Sequence, residues 1–227
     1  MRWSQMLEIN RARRAGAPLG DLAAMKFSLY ADPPPELRAR LREQGTGCLD
    51  LDLDALRSMP AGTVGREYAD HLERNNLSPL EISPELRRRY ADDPYGLRYA
   101  TTHDLFHVLT GFPTTPAGEL GLFAFMIGQG FARRRLLWLG TIIYTVLLPL
   151  HAPGVWRNLR VGLVMAKSAR NLLTEPIEAL LELPLAQARR RLGLPVDPLD
   201  AGIAPGHRSL LLQWLIPKPP SAPTATT

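Results

Sequence analysis

The residues with the widest chemical reach lie together in "HDLFHVLTGFPTTPAGE", residues 103–119. His103 and His107 are four positions apart, so on a helix both imidazoles leave the same face, one turn above the other. Asp104 stands three before His107, near enough to that face to join it. Gly111, Pro113 and Pro116 then end one helix and open the next. Glu119 therefore falls in the first turn of a second helix, from which a short return can aim its carboxylate at the two rings. Two imidazoles and one or two carboxylates on a helical hairpin outline a divalent-metal site.

Other chemistries use related spacings. A lone histidine pair at i,i+4 is more often a satisfied core or surface pair. Here four ionisable groups share a stretch otherwise dominated by apolar and small side chains, which argues against that. HDxxH also imitates the HExxH of metalloproteases, but Asp is one methylene shorter than the Glu that acts as general base. A phosphohydrolase built on an adjacent His-Asp pair wants another upstream His and a distant Asp, for which His71 and Asp197 are the candidates. In the metal reading His103 and His107 supply nitrogens, and Asp104 and Glu119 oxygens. Four bound side chains close a tetrahedral, structural site; three leave a position open for substrate or water. Asp104 can serve as a ligand or as the orienter of an imidazole. Zinc is the first choice for a mixed N/O set, and iron and manganese suit it too.

The same residues carry a resemblance. His103-Asp104-x-x-His107, eleven residues, then Glu119 is similar to the signature of the coenzyme Q (ubiquinone) biosynthesis family, whose yeast and human members belong to the mitochondrial Q-synthesis complex. "PAGTVGREYADHL" (Pro60 to Leu72) resembles that family's upstream Pro-x-Gly-Thr-x-Gly-x-x-Tyr segment, and "LPLAQARRRLGLP" (Leu183 to Pro195) its closing helix. The likeness covers roughly residues 60–195. It implies that His103, Asp104, His107 and Glu119 form the metal and catalytic site. It further implies replacement of the C1 carboxylate of a polyprenyl-hydroxybenzoate precursor by hydroxyl, an oxidative decarboxylation. It also implies a membrane-associated homodimer that scaffolds other quinone-biosynthetic enzymes. Two function classes follow: a metal-dependent enzyme on a prenylated aromatic head group, or a non-catalytic lipid- or isoprenoid-binding scaffold whose metal is structural.

A chain of 227 residues suits one domain with a sizeable core. Apolar residues make up 45% and charged ones 22%, ordinary for a soluble globular protein. A single Cys48 excludes an internal disulfide and a zinc ribbon, and fits a reducing compartment. The net charge of +5 and pI near 9.7 rest on arginine clusters at 11–14, 87–89, 133–135 and 189–191. That balance favours anionic partners, although any one cluster reads as a solvated helix face. No zinc finger and no interleaving of aromatic with basic residues points to nucleic acid. No secretory signal is expected, and Glu8 and Asp21 argue against a transit peptide. The longest apolar run, Leu136 to Leu150, falls short of the roughly 20 residues a bilayer demands. The expected location is peripheral: on the cytoplasmic side of a bacterial inner membrane, or on the matrix side of the mitochondrial one if the chain is eukaryotic.

The elements that must hold the motif all read as helix. Asp21 to Tyr30 has helical apolar spacing, and Glu36 to Gln44 reads as a charged, exposed helix after Pro33-Pro34-Pro35. Asp50, Asp52 and Asp54 alternate as in a calcium loop, but the Gly and closing Glu are missing, so a solvated loop is expected. Val64 to Leu77 is amphipathic with Tyr68, Leu72 and His71 inward, and Ser83-Pro84-Glu85 starts a further helix. Asp92-Asp93-Pro94 opens the motif helix, which runs to about Phe112, and Thr114 or Thr115 caps the Glu119 helix. Leu120 to Ala132 and Leu136 to Leu150 are apolar on nearly all sides, so they are expected at the centre, with surface left for a second subunit, a membrane or a hydrocarbon ligand. Gly121, Gly128, Gly130 and Gly140 would admit a backbone or a lipid tail. Val155 to Leu173 carries Arg157, Arg160, Lys167 and Arg170 along one side, suited to an anionic head group or to solvent. Glu175-Pro176 opens a short helix, and Leu185 to Leu192 forms the last. The expected fold is an all-α, single-domain bundle over 1–216 with the metal-binding hairpin inside it, and 217–227 as a disordered Pro-, Ala- and Thr-rich tail.

Overall fold

Local capping chemistry sets the helix boundaries. The computed structural model describes residues 3–30, 33–45, 47–132, 142, 145–146 and 152–205. Its helices are α1 (Trp3–Arg14), α2 (Leu19–Tyr30), α3 (Pro35–Glu43), α4 (Leu53–Ser58), α5 (Val64–Asn75), α6 (Pro84–Arg89), α7 (Tyr95–Thr110) and α8 (Pro116–Gly128). After these come α9 (Ala152–Ser168), a 3-10 turn (Ile177–Leu180) and α10 (Leu185–Leu192). No strand occurs among the described residues, so the fold is all-α. The Leu136–Leu150 run, Arg133–Arg135, Gly140 and the 217–227 tail lie outside the described residues, except for 142, 145 and 146.

Side-chain oxygens of Asp52, Thr63, Ser83 and Thr115 accept from the first free backbone N–H groups of α4, α5, α6 and α8. The aspartate run is accordingly a cap and two ion pairs. Asp52 caps α4, Asp50 takes a bidentate pair from Arg87 at 2.6 Å, and Asp54 binds Arg57 at 3.0 Å. The start of α5 is sewn to the segment before α10: Val64 and Gly65 N–H donate to Leu183 and Leu181 carbonyls at 2.9 Å, and Leu185 N–H to Gly62 at 2.8 Å.

At the centre of the bundle is α7, the motif helix, with the apolar α8 buried beside it. Every residue of α7 is buried except His103 and Asp104. Several of its polar side chains find partners inside: Thr101, Thr102 and Thr110 hydroxyls donate to carbonyls one turn back, and Arg98 is clamped by the Glu178 carboxylate. Burial on all sides without an apolar stripe is why hydropathy alone placed α7 no deeper than its neighbours. Helices α2, α5, α8 and α10 pack around it. α3, expected to be exposed, sends Leu37 and Leu41 into the core from one face and keeps its arginines outside.

α8 is covered chiefly by α9. A Cβ on Gly162 would lie 2.2 Å from the Gly121 carbonyl oxygen and 2.9 Å from Phe125 N, so the two backbones touch there. Gly121 and Gly128 thus serve helix packing. α9 stops at Ser168, short of the expected Leu173. Gln129 intercepts the next turn: its Oε1 accepts from Leu172 N–H at 3.0 Å and its Nε2 donates to Arg170 O at 2.6 Å, which turns Leu172 and Leu173 into the core. Of the basic residues on this helix and its exit, Arg157 is bound to the Gly202 carbonyl and Arg170 pairs with Glu175, while Arg160 and Lys167 are exposed.

Gly162→Ala should therefore lower stability by about 1–3 kcal/mol or more, because backbone has to move to admit the methyl group. Gly154→Ala in the same helix, where a Cβ meets only Ala117 and Ala204 methyls at 3.5 and 3.7 Å, should leave the melting temperature unchanged or higher. Parallel thermal melts followed by circular dichroism check both.

Candidate metal centre

The hairpin is built from its turn outward. Gly111 ends α7 in the left-handed region at φ 82° and returns its N–H to the His107 carbonyl at 2.8 Å. From α10, Arg189 reaches beneath this end: Nε donates to Leu109 O at 3.0 Å, Nη2 to Val108 O at 2.9 Å and Nη1 to Val196 O at 2.7 Å. A cation thus satisfies carbonyls that the helix leaves open. Arg189 belongs to a cluster that reads as a solvated face in sequence, yet it is buried. Thr114 Oγ1 donates to Asn75 Oδ1 at 2.7 Å, fixing the return to the end of α5. α8 then presses on the return so closely that a Cβ on Gly118 would lie 1.8 Å from Pro113 O. The next residue, Glu119, is held facing α7.

All four motif residues come together. Glu119 Oε1 lies 3.3 Å from His107 Nε2, and Oε2 lies 3.6 Å from His103 Nε2. Donor atoms of His103, Asp104 and His107 fall within 4.8 Å of one another. His107 is buried, its side chain 1% exposed, while the Glu119 side chain is 40% exposed and opens the site to one side.

The hydrogen-bond pattern identifies what the site needs. His107 Nδ1 lies 2.8 Å from the Phe112 carbonyl, an acceptor only, so Nδ1 carries the proton and donates. Nε2 is left with its lone pair, buried and without a hydrogen-bond partner, facing a carboxylate oxygen. Two electron-rich groups held together in this way require a cation between them, either a proton or a metal ion. A backbone carbonyl that orients an imidazole is also the usual support behind a metal-binding histidine. The donor set fits a divalent metal.

Electrostatics agree. Burial alone would raise the Glu119 carboxyl, but the two imidazoles outweigh it and hold the group well below the usual carboxylate range. Burial opposes a charged His107, yet the Glu119 carboxylate overrides it and raises the imidazole. Asp104 is raised by burial, against the pull of both histidines.

Further groups surround the motif. His71 of α5 stacks on His107, with ring centroids 5.8 Å apart and planes at 17°, and its Nε2 is buried with no hydrogen-bond partner. Burial, with the neighbouring His107, lowers its pKa to about 4. Phe27 and Tyr99, 4.1 Å apart, form an aromatic wall against the His103 ring at 5.8 and 5.9 Å. The sequence signal for His71 was its inward position one turn from Tyr68; the wall gave none, since Phe27 comes from distant α2. Asp197 is elsewhere, exposed and accepting from Leu199 N–H at 2.8 Å.

Residues 35–198 match the family described as coenzyme Q (ubiquinone) biosynthesis protein Coq4. The chain belongs to that family. The mitochondrial ubiquinone biosynthesis protein COQ4 of Yarrowia lipolytica is 39% identical over 119 residues, covering 48% of this chain and 44% of its own. Its counterpart in Podospora anserina is 34% identical over 178 residues, covering 72% of this chain and 53% of its own. The chain spans about half the length of these two relatives. A crystal structure from Nostoc punctiforme, of a protein assigned provisionally to ubiquinone biosynthesis, shares the fold at TM-score 0.57 and 22% identity, covering 78% of this chain and 82% of that one. No helix of the described residues is long and apolar enough to cross a membrane.

Two opposite pH dependences follow for the metal-free protein. His71 has a folded pKa of about 4 against an ordinary 6.5, so the stability it confers is full above pH 6.5 and is lost as pH falls toward 4. That loss is about 3 kcal/mol at most. His107, raised by Glu119, confers stability that is full below pH 6.5 and lost as pH rises through its folded value. Urea midpoints from pH 4 to 9 should therefore peak near neutrality. His71→Phe should flatten the acid limb, and a bound divalent cation, which replaces the His107 proton, the alkaline limb.

Proposed function

We propose that the chain takes part in ubiquinone biosynthesis as a metal-dependent enzyme that replaces the ring carboxylate of a prenylated hydroxybenzoate-type precursor by hydroxyl. The observation that carries this reading is the buried Nε2 lone pair of His107 set against the Glu119 carboxylate, beside His103 and Asp104, in a chain of this family. His103, His107 and Glu119 would hold the cation, with Asp104 as a fourth ligand or as a charge beside it.

The reaction consumes the carboxylate, one proton, one water and one dioxygen, and yields the phenol, carbon dioxide and hydrogen peroxide. The ring–carboxyl bond breaks, a ring–oxygen bond forms, and an oxidant of the dioxygen class accepts two electrons. A metal held by these residues would neutralise the substrate anion and the negative charge that develops as carbon dioxide leaves. Two histidines with a carboxylate and an open position suit iron, and manganese after it, because zinc exchanges no electrons. Phe27 and Tyr99 offer an apolar face to the substrate ring beside His103. The half-exposed Glu119 leaves the approach for a substrate whose tail stays outside the bundle.

A second reading, a non-catalytic lipid-binding scaffold with a structural zinc, has its own support in α9. Exposed Trp156 and Val164 alternate there with exposed Arg160 and Lys167. Beside them a cleft of about 330 Å³ is lined by Ile127, Gly128, Leu163 and Lys167. Apolar and basic residues on one face suit the surface of an anionic membrane. Peripheral membrane attachment, homodimerisation and contact with other quinone-biosynthetic enzymes belong to either reading.

Elemental analysis of the purified protein with Glu119→Gln as comparison separates the two. The enzyme reading expects stoichiometric iron or manganese in wild type. It also expects product formation lowered by about 10²–10³-fold in the variant, with the helical signal retained. Bound zinc, co-purifying lipid, a lowered melting temperature in His107→Ala and no turnover would establish the scaffold instead.

A further inference from the structure

His71 stands outside the four-residue motif, and nothing in the protein accounts for its Nε2. It enters from α5, is 8% exposed, stacks on His107, and leaves a buried ring nitrogen with no hydrogen-bond partner. Its position is fixed from behind: Asn75 Nδ2 donates to the His71 carbonyl at 2.8 Å, and the same Asn75 side chain accepts from Thr114 in the hairpin return. A buried, unpaired polar nitrogen costs about 1–3 kcal/mol unless a ligand supplies the partner. Donor atoms of His103, Asp104 and His107 lie within 4.8 Å of one another and Glu119 reaches both histidines at 3.3 and 3.6 Å, whereas His71 joins the group through its ring stack on His107, so this imidazole borders the cation position.

We propose that His71 is a further binding residue of the centre, giving a hydrogen bond from Nε2 to an oxygen anion, the carboxylate of an aromatic acid, that is held at the cation between His103, His107 and Glu119. This rests on the metal reading above and extends it: the motif residues would hold the cation, and His71 would select an anion by offering it a hydrogen bond from the α5 side. Asp104 and Glu119 carry the opposite sign and cannot give such a bond once ionised. His71 is the neighbouring donor supplied by a different helix.

The test loads the full chain with Co2+, whose visible spectrum reports ligand number and type, and titrates it with 4-hydroxybenzoate. His71→Phe keeps the ring and its stacking but removes the donor; His71→Gln restores an N–H on a flexible chain. Cobalt stoichiometry, and affinity by chelator competition, should stay within about threefold of wild type in both variants. The spectral response to 4-hydroxybenzoate should weaken by about tenfold or more in His71→Phe, the range for a hydrogen bond to a charged group, with part of it recovered in His71→Gln. Equal 4-hydroxybenzoate binding in wild type and His71→Phe, with cobalt bound in both, overturns the proposal alone. A tenfold loss of cobalt affinity with a changed spectrum in His71→Phe makes His71 a ligand and overturns it too. A wild type that takes up no cobalt overturns the metal reading, and this proposal with it. Thermal melts of the three proteins show whether each is folded, and an unfolded His71→Phe leaves the comparison to His71→Leu, which fills the site with an apolar side chain and no donor.

Discussion

The structure depends on keeping two electron-rich groups in contact inside a helical core. His107 Nε2 and Glu119 face each other at 3.3 Å, and the Phe112 carbonyl has already claimed the ring's other nitrogen. A cation has to sit there, because an unpaired carboxylate beside an unpaired lone pair would cost more than the fold can spare. Much of the surrounding architecture resists the separation of these two groups. Arg189 pins the end of α7, Thr115 caps α8, and the absence of a side chain at Gly118 lets α8 settle against Pro113.

The enclosure of α7 follows from the same requirement. A helix carrying metal-type donors on one face can be immobile only if its remaining faces are packed. α2, α5, α8 and α10 supply that packing, and only His103 and Asp104 reach toward solvent. Arg98 and the threonines are tolerated on the buried faces because they find partners nearby, Arg98 with Glu178 and the threonines with their own helix, whereas His107 Nε2 is left for the cation. α9 braces the outer side of α8, where Gly121 and Gly162 bring two backbones into contact. The hairpin therefore has a rigid floor as well as rigid walls.

Family membership and site geometry contribute differently to the functional reading. The match over residues 35–198 places the chain among coenzyme Q biosynthesis proteins. The geometry says what the residues can do: bind a cation through nitrogen and oxygen donors, and present an aromatic wall and one unclaimed imidazole to whatever joins it. The aromatic acid proposed as ligand would meet all three demands, with a ring for the wall, an anion for the cation and an oxygen for the imidazole.

The sequence by itself determined the all-α class, most helix starts, and the grouping of His103, Asp104, His107 and Glu119 on one hairpin. These are local matters: i,i+4 spacing, a Gly and two Pro at the bend, and Ser or Thr ahead of a helix are fixed by nearest neighbours along the chain. Only the tertiary structure decided that α7 is central, that Arg189 leaves its arginine cluster to hold the end of α7, that Gln129 ends α9 at Ser168, and that Phe27 and His71 border the site. Each of those depends on residues far apart in sequence. Whether a polar side chain is buried is settled by the partner it meets, and no spacing along one helix encodes that partner.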